Sequence, residues 1–213
     1  MLKIKMLYGS QNFGYNDINS DKDYLQFVIP SWNNILKNEL VSKEYKNSDG
    51  SITKIKDIRL IPKMIEKANF NDLQFLYAKE QEGTEILKWF YLNKDLLIRA
   101  NLRQCYYSNC GFILGQLREL TSKNLIRAYA HYQLLKQFYE NKKKIKFFDE
   151  TLQSLRIEIE QMNNQEKEEL KKYILEGINN YREFFDYQEK DIKIFPIINK
   201  KIKEILKDCL RNY

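Results

Sequence analysis

A chain of 213 residues with 43% hydrophobic and 14% aromatic residues carries enough apolar material for a sizeable core, which excludes a disordered chain. A formal charge of +7 and an isoelectric point near 9.1 favour polyanions, so nucleic acid and nucleotide phosphates are the first partner classes to weigh. Seven glycines and three prolines among abundant Lys, Glu, Leu and Ile predict a protein dominated by helix.

Residues 2 to 8 alternate Leu2, Ile4 and Met6 with Lys3 and Lys5, the period-two pattern of a strand with one buried face. That strand runs into Gly9-Ser10, turn formers fill 11 to 20, and DKDYLQFVIP reads as a second strand stopped at Pro30. Ser31 is placed to cap a short helix through WNNILKN. VSKEYKN and SITKIKDI flank Ser48-Asp49-Gly50 as third and fourth strands joined by a hairpin turn. IRLIPKMIEKA returns to helical spacing, with Pro62 in the first turn.

From Asp72 onward the apolar positions keep a period near 3.6 through LQFLYAK, TEILKWFYLNKDLLIRANLRQCYY, FILGQLREL and LIRAYAHYQLLKQFYENK. Three further helices are expected over 149 to 162, 165 to 188 and 196 to 211, the middle one opening on Glu166, Glu168 and Glu169. The expected class is α+β: a small mixed sheet with flanking helices over 1–90, then a helical domain over 91–213, with a packed boundary between them.

Three cysteines, Cys105, Cys110 and Cys209, have no zinc-knuckle spacing, and an odd count argues against a disulfide framework, so a reducing cytoplasm is expected. No apolar run approaches the length of a membrane span, and MLKIKML is too short for a signal peptide.

The chemistry concentrates near the N-terminus. Asp21 and Asp23, two apart on a strand, project from one face with Lys22 directed away. Carboxylates so placed repel, and a hard cation between them relieves the repulsion; Mg²⁺ suits such a pair together with substrate phosphate oxygens. Gly9-Ser10 at the end of the preceding strand allows a sharp turn and a close backbone approach to phosphate, with amides and the Ser10 hydroxyl as donors. Taken singly, an Asp-x-Asp pair is most often a solvated turn and Gly-Ser an ordinary loop dipeptide.

In order, GSQNFGYNDINSDKDY resembles the Gly-Ser, Gly, Ser-Asp-x-Asp signature of the polymerase-beta-like nucleotidyltransferase superfamily, most of all its bacterial and phage branch. Gln11 to Gly14, Asp21 to Asp23 and Pro30 match within a likeness that covers residues 5 to 30 and extends more loosely through KDIRLIPKMIEKANFNDLQFL. The resemblance implies a Mg²⁺-dependent enzyme in which an acceptor hydroxyl attacks the α-phosphate of a nucleoside triphosphate and pyrophosphate leaves. It implies that Asp21 and Asp23 hold the metal on the triphosphate, that Asp57 joins them at a second ion, and that Gly9 and Ser10 grip the phosphates. Asp57 also stands where it would cap a helix beginning near Ile58, and Gln74 occupies a position where relatives often carry an acid.

Arg127 and His131 share a helix face and are candidates for reaching the triphosphate, as are Arg99 and Arg103; a lone histidine on an aromatic helix is, however, more often a hydrogen-bonded core residue. The basic charge points to an RNA end as acceptor. The alternatives are a protein or small-molecule nucleotidylylating enzyme of the antitoxin-like or antibiotic-modifying kind, and a catalytically silent nucleotide- or RNA-binding module.

Overall fold

The computed structural model describes residues 3–16, 22–78, 81–140 and 144–211. Among the described residues five strands, β1 (Lys3–Leu7), β2 (Tyr24–Val28), β3 (Ser42–Lys46), β4 (Ile52–Asp57) and β5 (Gln81–Glu82), form one sheet in the order β3-β4-β2-β1-β5. All neighbours are antiparallel except β2 and β4, which run parallel. Alternation decides which face is covered: Ile4, Met6, Leu25 and Phe27 are buried beneath the helices, and Lys5 and Gln26 pair on the other face. The architecture is α+β, as the sequence predicts.

Between the strands, α1 (Ser10–Phe13) follows the Gly9 turn and α2 (Trp32–Leu36) follows β2. Ser31 caps α2, its hydroxyl accepting the Asn34 N–H at 3.2 Å. After β4 a single 3₁₀ turn, Ile58–Leu60, leads into α3 (Ile61–Lys67), whose first turn holds Pro62. Next come α4 (Phe70–Leu73), α5 (Lys88–Leu92), α6 (Lys94–Leu97), α7 (Leu102–Gln116), α8 (Ser122–Tyr139), α9 (Thr151–Gln161), α10 (Asn164–Asp186) and α11 (Ile194–Arg211). Helix α8 lies at the centre of the helical part, packed on α7, α9 and α10.

Two details depart from the sequence expectation. The run TEILKWFYLNKDLLIRANLRQCYY is divided at Asn93, whose amide donates to the Trp89 carbonyl at 2.7 Å, and at Asn101, whose side chain caps α7. Strand β5 is too short to show alternation and exists through its pairing with β1.

Buried residues form one cluster running from Ile4 to Ile202, with sheet and helices contributing to the same core. It holds an aromatic group in which Phe13 of α1 and Phe70 of α4 each lie with ring centroid 5.7 Å from that of Phe147. All three cysteines are free, Cys105 and Cys110 within this core. Among the described residues no helix is long and apolar enough to cross a membrane.

Candidate functional site

Gly9 is the residue on which the site turns. It adopts φ +75°, a conformation that L side chains rarely take, and a Cβ there would lie 3.3 Å from Asp23 Oδ2. The antiparallel pairing of β1 and β2 continues past the strand ends, where the Tyr8 N–H donates to the Asp23 carbonyl at 2.9 Å, and this brings the Gly9 turn onto the Asp23 side chain. The other carboxylate oxygen, Oδ1, accepts the Ile52 N–H of β4 at 2.8 Å, so the side chain is held and Oδ2 is directed at the turn. Ser10, half-buried, opens α1 directly after Gly9.

Gln74 fixes the turn from below. It is fully buried; its Oε1 accepts the Gly9 N–H at 2.7 Å and its Nε2 donates to the Asn71 carbonyl at 2.9 Å. A neutral amide satisfies both groups, whereas a carboxylate at this position would have no hydrogen to offer the Asn71 carbonyl. The sequence marks Gln74 only as a difference from the proteins its N-terminal motif resembles, and its work in shaping the Gly9 turn emerges from the fold.

Register decides the placement of Asp57. The parallel pairing of β2 with β4 sets Val28 opposite Asp57, five residues beyond Asp23. At roughly 3.3 Å per residue that is about 16 Å, and an odd separation puts the two on opposite faces of the sheet. Asp57 is fully buried and spent elsewhere: it caps the 3₁₀ turn by accepting the Arg59 N–H at 2.9 Å, and its two oxygens take Arg59 Nε at 3.0 Å and Nη2 at 2.7 Å. Arg59 also donates to the Glu39 carbonyl. The expectation that Asp57 shares an ion with Asp23 is therefore corrected. Its capping alternative is the role it plays. Asp21 lies outside the described residues, and among those described no group of three metal-ligating side chains stands together.

The candidate basic residues separate in the same way. Arg127 of α8 lies close enough to the buried hydroxyl of Tyr15, just past the Gly9 to Gly14 segment, to favour its ionised form, and Asp23 acts on the same hydroxyl in the opposite sense. Burial pushes Tyr15 up to about 12 against the pull of Arg127. Arg156 of α9 donates to the Tyr15 carbonyl at 3.1 Å. Arg127 thus stands by Tyr15, one residue past Gly14. His131, one turn further along α8, does not reach Gly9 or Asp23: it is 1% exposed, stacked on Phe112 at 4.1 Å, and its Nδ1 meets Asn109 Oδ1 at 3.0 Å. Its placement corrects the expectation that it meets the triphosphate. Arg99 rides over the Phe138 ring, and Arg103 faces Asp186 at 4.0 Å.

Beside Asp23 the sheet offers groups that the sequence does not single out. Leu25 and Phe27 are paired in register with Lys54 and Lys56, so both lysines project from the face that carries Asp23. They line an open cleft of about 390 Å³ together with Tyr8, Ser42, Glu44 and Asp72. Lys54 sits 4.9 Å over the Tyr8 ring and 3.7 Å from Glu44, and Lys56 is paired with Asp72. Burial, followed by Asp72, Tyr15, Asp23 and Glu44, raises the Tyr8 hydroxyl well above its ordinary value, which keeps it a neutral donor. The available signal is the alternation of lysines in ITKIKD, and it acquires meaning only once β4 is known to lie alongside β2.

A comparison with protein-family models finds no match for the chain, and neither does a search among curated proteins.

Proposed function

We propose that the chain is a nucleotidyltransferase that moves a nucleoside monophosphate from a nucleoside triphosphate to an acceptor hydroxyl, with an RNA end as acceptor. One observation carries the reading: the Gly9 turn, in a conformation reserved for glycine, is seated directly on the Asp23 carboxylate at the mouth of the sheet. A turn that can come close to a phosphate, set against a carboxylate, is what phosphoryl chemistry requires of a protein scaffold. Arg127, beside Tyr15, and the Lys54–Lys56 side of the neighbouring cleft supply positive charge around it.

Oxygen donors such as Asp21 and Asp23 suit Mg²⁺, which when bound neutralises phosphate charge. In this reading Asp57 and His131 take no part. The protein is incubated with labelled nucleoside triphosphates, Mg²⁺ or Mn²⁺, and RNA, protein and small-molecule acceptors. Label is expected on RNA, and is expected to fall at least a hundredfold in Asp23→Asn and in Gly9→Ala. Label on a protein or small molecule alone moves the reading to the nucleotidylylating alternative.

A specific arrangement favours the silent binding module: the residue that register sets beside Asp23 on β4 is Ile52, and the carboxylate of that strand, Asp57, is locked to Arg59. Nucleotide binding by calorimetry, with no labelled acceptor under any metal, is the result that establishes that module and overturns the transferase.

A further inference from the structure

At the end of the sheet away from Asp23, α2 and the last helix, α11, enclose an open groove of about 390 Å³. Trp32 and Ile35 form one wall, and Leu206 and Leu210 the other. Three cations complete the lining, Lys203, Lys207 and Arg211, while neither acid within the last two turns of α11, Glu204 or Asp208, lines it. Glu204 is instead held by Lys201 at 2.7 Å.

The cations recur every fourth residue, so they stand along one side of the helix at intervals of roughly 6 Å. Trp32 is 59% exposed and lines the same groove. The main apolar stripe of α11, Ile194, Ile198 and Ile202, is already buried in the core. That stripe is therefore not free to enter a lipid surface, while Lys203, Lys207, Arg211 and Trp32 are exposed together along the groove.

We infer that this groove binds single-stranded nucleic acid, the Trp32 ring stacking an unpaired base and Lys203, Lys207 and Arg211 tracking its phosphates. Stacking on an aromatic platform within a basic groove is how proteins hold single strands without reading sequence, and the chain's charge of +7 has the matching sign. Paired bases offer no free face to the indole, so a duplex is the poorer ligand. The inference stands on the groove alone and is independent of the transfer reaction.

The chain has two tryptophans, Trp32 and Trp89, so Trp89→Phe makes Trp32 the sole indole reporter. This full-length variant is titrated with a dodecamer of oligouridylate, without nucleoside triphosphate, and separately with vesicles of phosphatidylcholine and phosphatidylserine. The oligonucleotide is expected to quench the Trp32 fluorescence. Its log K is expected to fall with log salt at a slope near −2, about 0.7 per neutralised phosphate for three contacts. Trp32→Ala, read by anisotropy of a labelled oligonucleotide, is expected to weaken binding at least fivefold, and Lys203→Gln with Lys207→Gln at least tenfold. The three side chains are exposed or partly exposed, and unchanged far-ultraviolet circular dichroism confirms the fold of each variant. Absence of quenching, equal affinity across the variants, or a Trp32 blue shift with vesicles alone overturns the inference.

Discussion

Protonation at one residue gives a direct reading of how the core is built. Asn109 uses its amide nitrogen on the Ala68 and Cys105 carbonyls, at 3.1 and 2.7 Å, and its Oδ1 accepts the Phe70 N–H at 3.0 Å. The Nδ1 of His131 must therefore be the donor to that same oxygen, which leaves Nε2 bare and, among the described residues, without a partner. A second proton there would be a buried donor with nothing to accept it, and burial lowers the histidine to about 3. The unfolded chain binds this proton from about pH 6.5 downward and the folded one does not, so the contribution is complete above pH 6.5 and is lost as pH falls. Stability in urea is expected to drop by about 2 kcal/mol between pH 7 and pH 5, and His131→Phe is expected to remove most of that slope. A slope unchanged in His131→Phe would place the titration elsewhere. Asp57 makes the complementary case. Removing either member of its buried pair strands the other, so Asp57→Ala and Arg59→Ala are each expected to cost about 3 kcal/mol in urea unfolding. Nucleotidyl transfer per folded molecule is expected to be unchanged in Asp57→Ala, which separates a capping role from a metal-holding one.

Among the elements, α7 and α10 each carry glycine within the helix, and the surroundings set opposite outcomes for the same substitution. Around Gly111 in α7 there is no atom within 4 Å of a prospective Cβ, so Gly111→Ala gains helix propensity, about 0.5–1 kcal/mol. At Gly177 in α10 a Cβ would come within 2.4 Å of Tyr132, whose hydroxyl meets that of Tyr181 at 3.1 Å. Overpacking costs about 1–3 kcal/mol and outweighs propensity there, so Gly177→Ala is expected to lower the thermal midpoint while Gly111→Ala raises it. The elements most legible in the sequence are those specified locally. The Ser31 cap, Pro62 in a first turn, and the opening of α10, where Asn163 and Glu166 form a reciprocal capping box, each depend on a few adjacent residues. Consecutive strands β1 and β2 were legible for a related reason, and their antiparallel pairing is what brings Gly9 to Asp23. The parallel register of β2 on β4 is set by a crossover through α2 and β3, so nothing near Asp57 announces that it lies five residues past Asp23. Asn93 likewise ends a helix through a hydrogen bond to Trp89, against an apolar spacing that continues unbroken.

At the scale of the whole molecule, the question is whether the sheet region and the helices can part. Phe13 belongs to the Gly9 segment, yet besides the nearby Tyr15 its ring partners include His131 on α8 at 5.4 Å and Phe147 beyond it at 5.7 Å. Phe70 of α4 stacks on Phe138 at 6.0 Å, and the Phe70 N–H finds its acceptor on α7 in Asn109. Cutting the chain near residue 90 would thus expose several large rings and strand buried hydrogen-bonding groups on both pieces, losses that each cost a few kcal/mol against a net stability of about 5–15 kcal/mol. Residues 1–90 expressed alone are accordingly expected to lack cooperative unfolding. In the full chain, far-ultraviolet circular dichroism and the fluorescence of Trp32 and Trp89 should trace a single coincident transition in urea. Two resolved transitions would show that the helical part holds together without the sheet. A single one ties the central helix, α8, to the segment that follows Gly9 through the same core, so that helix and turn are lost or kept together.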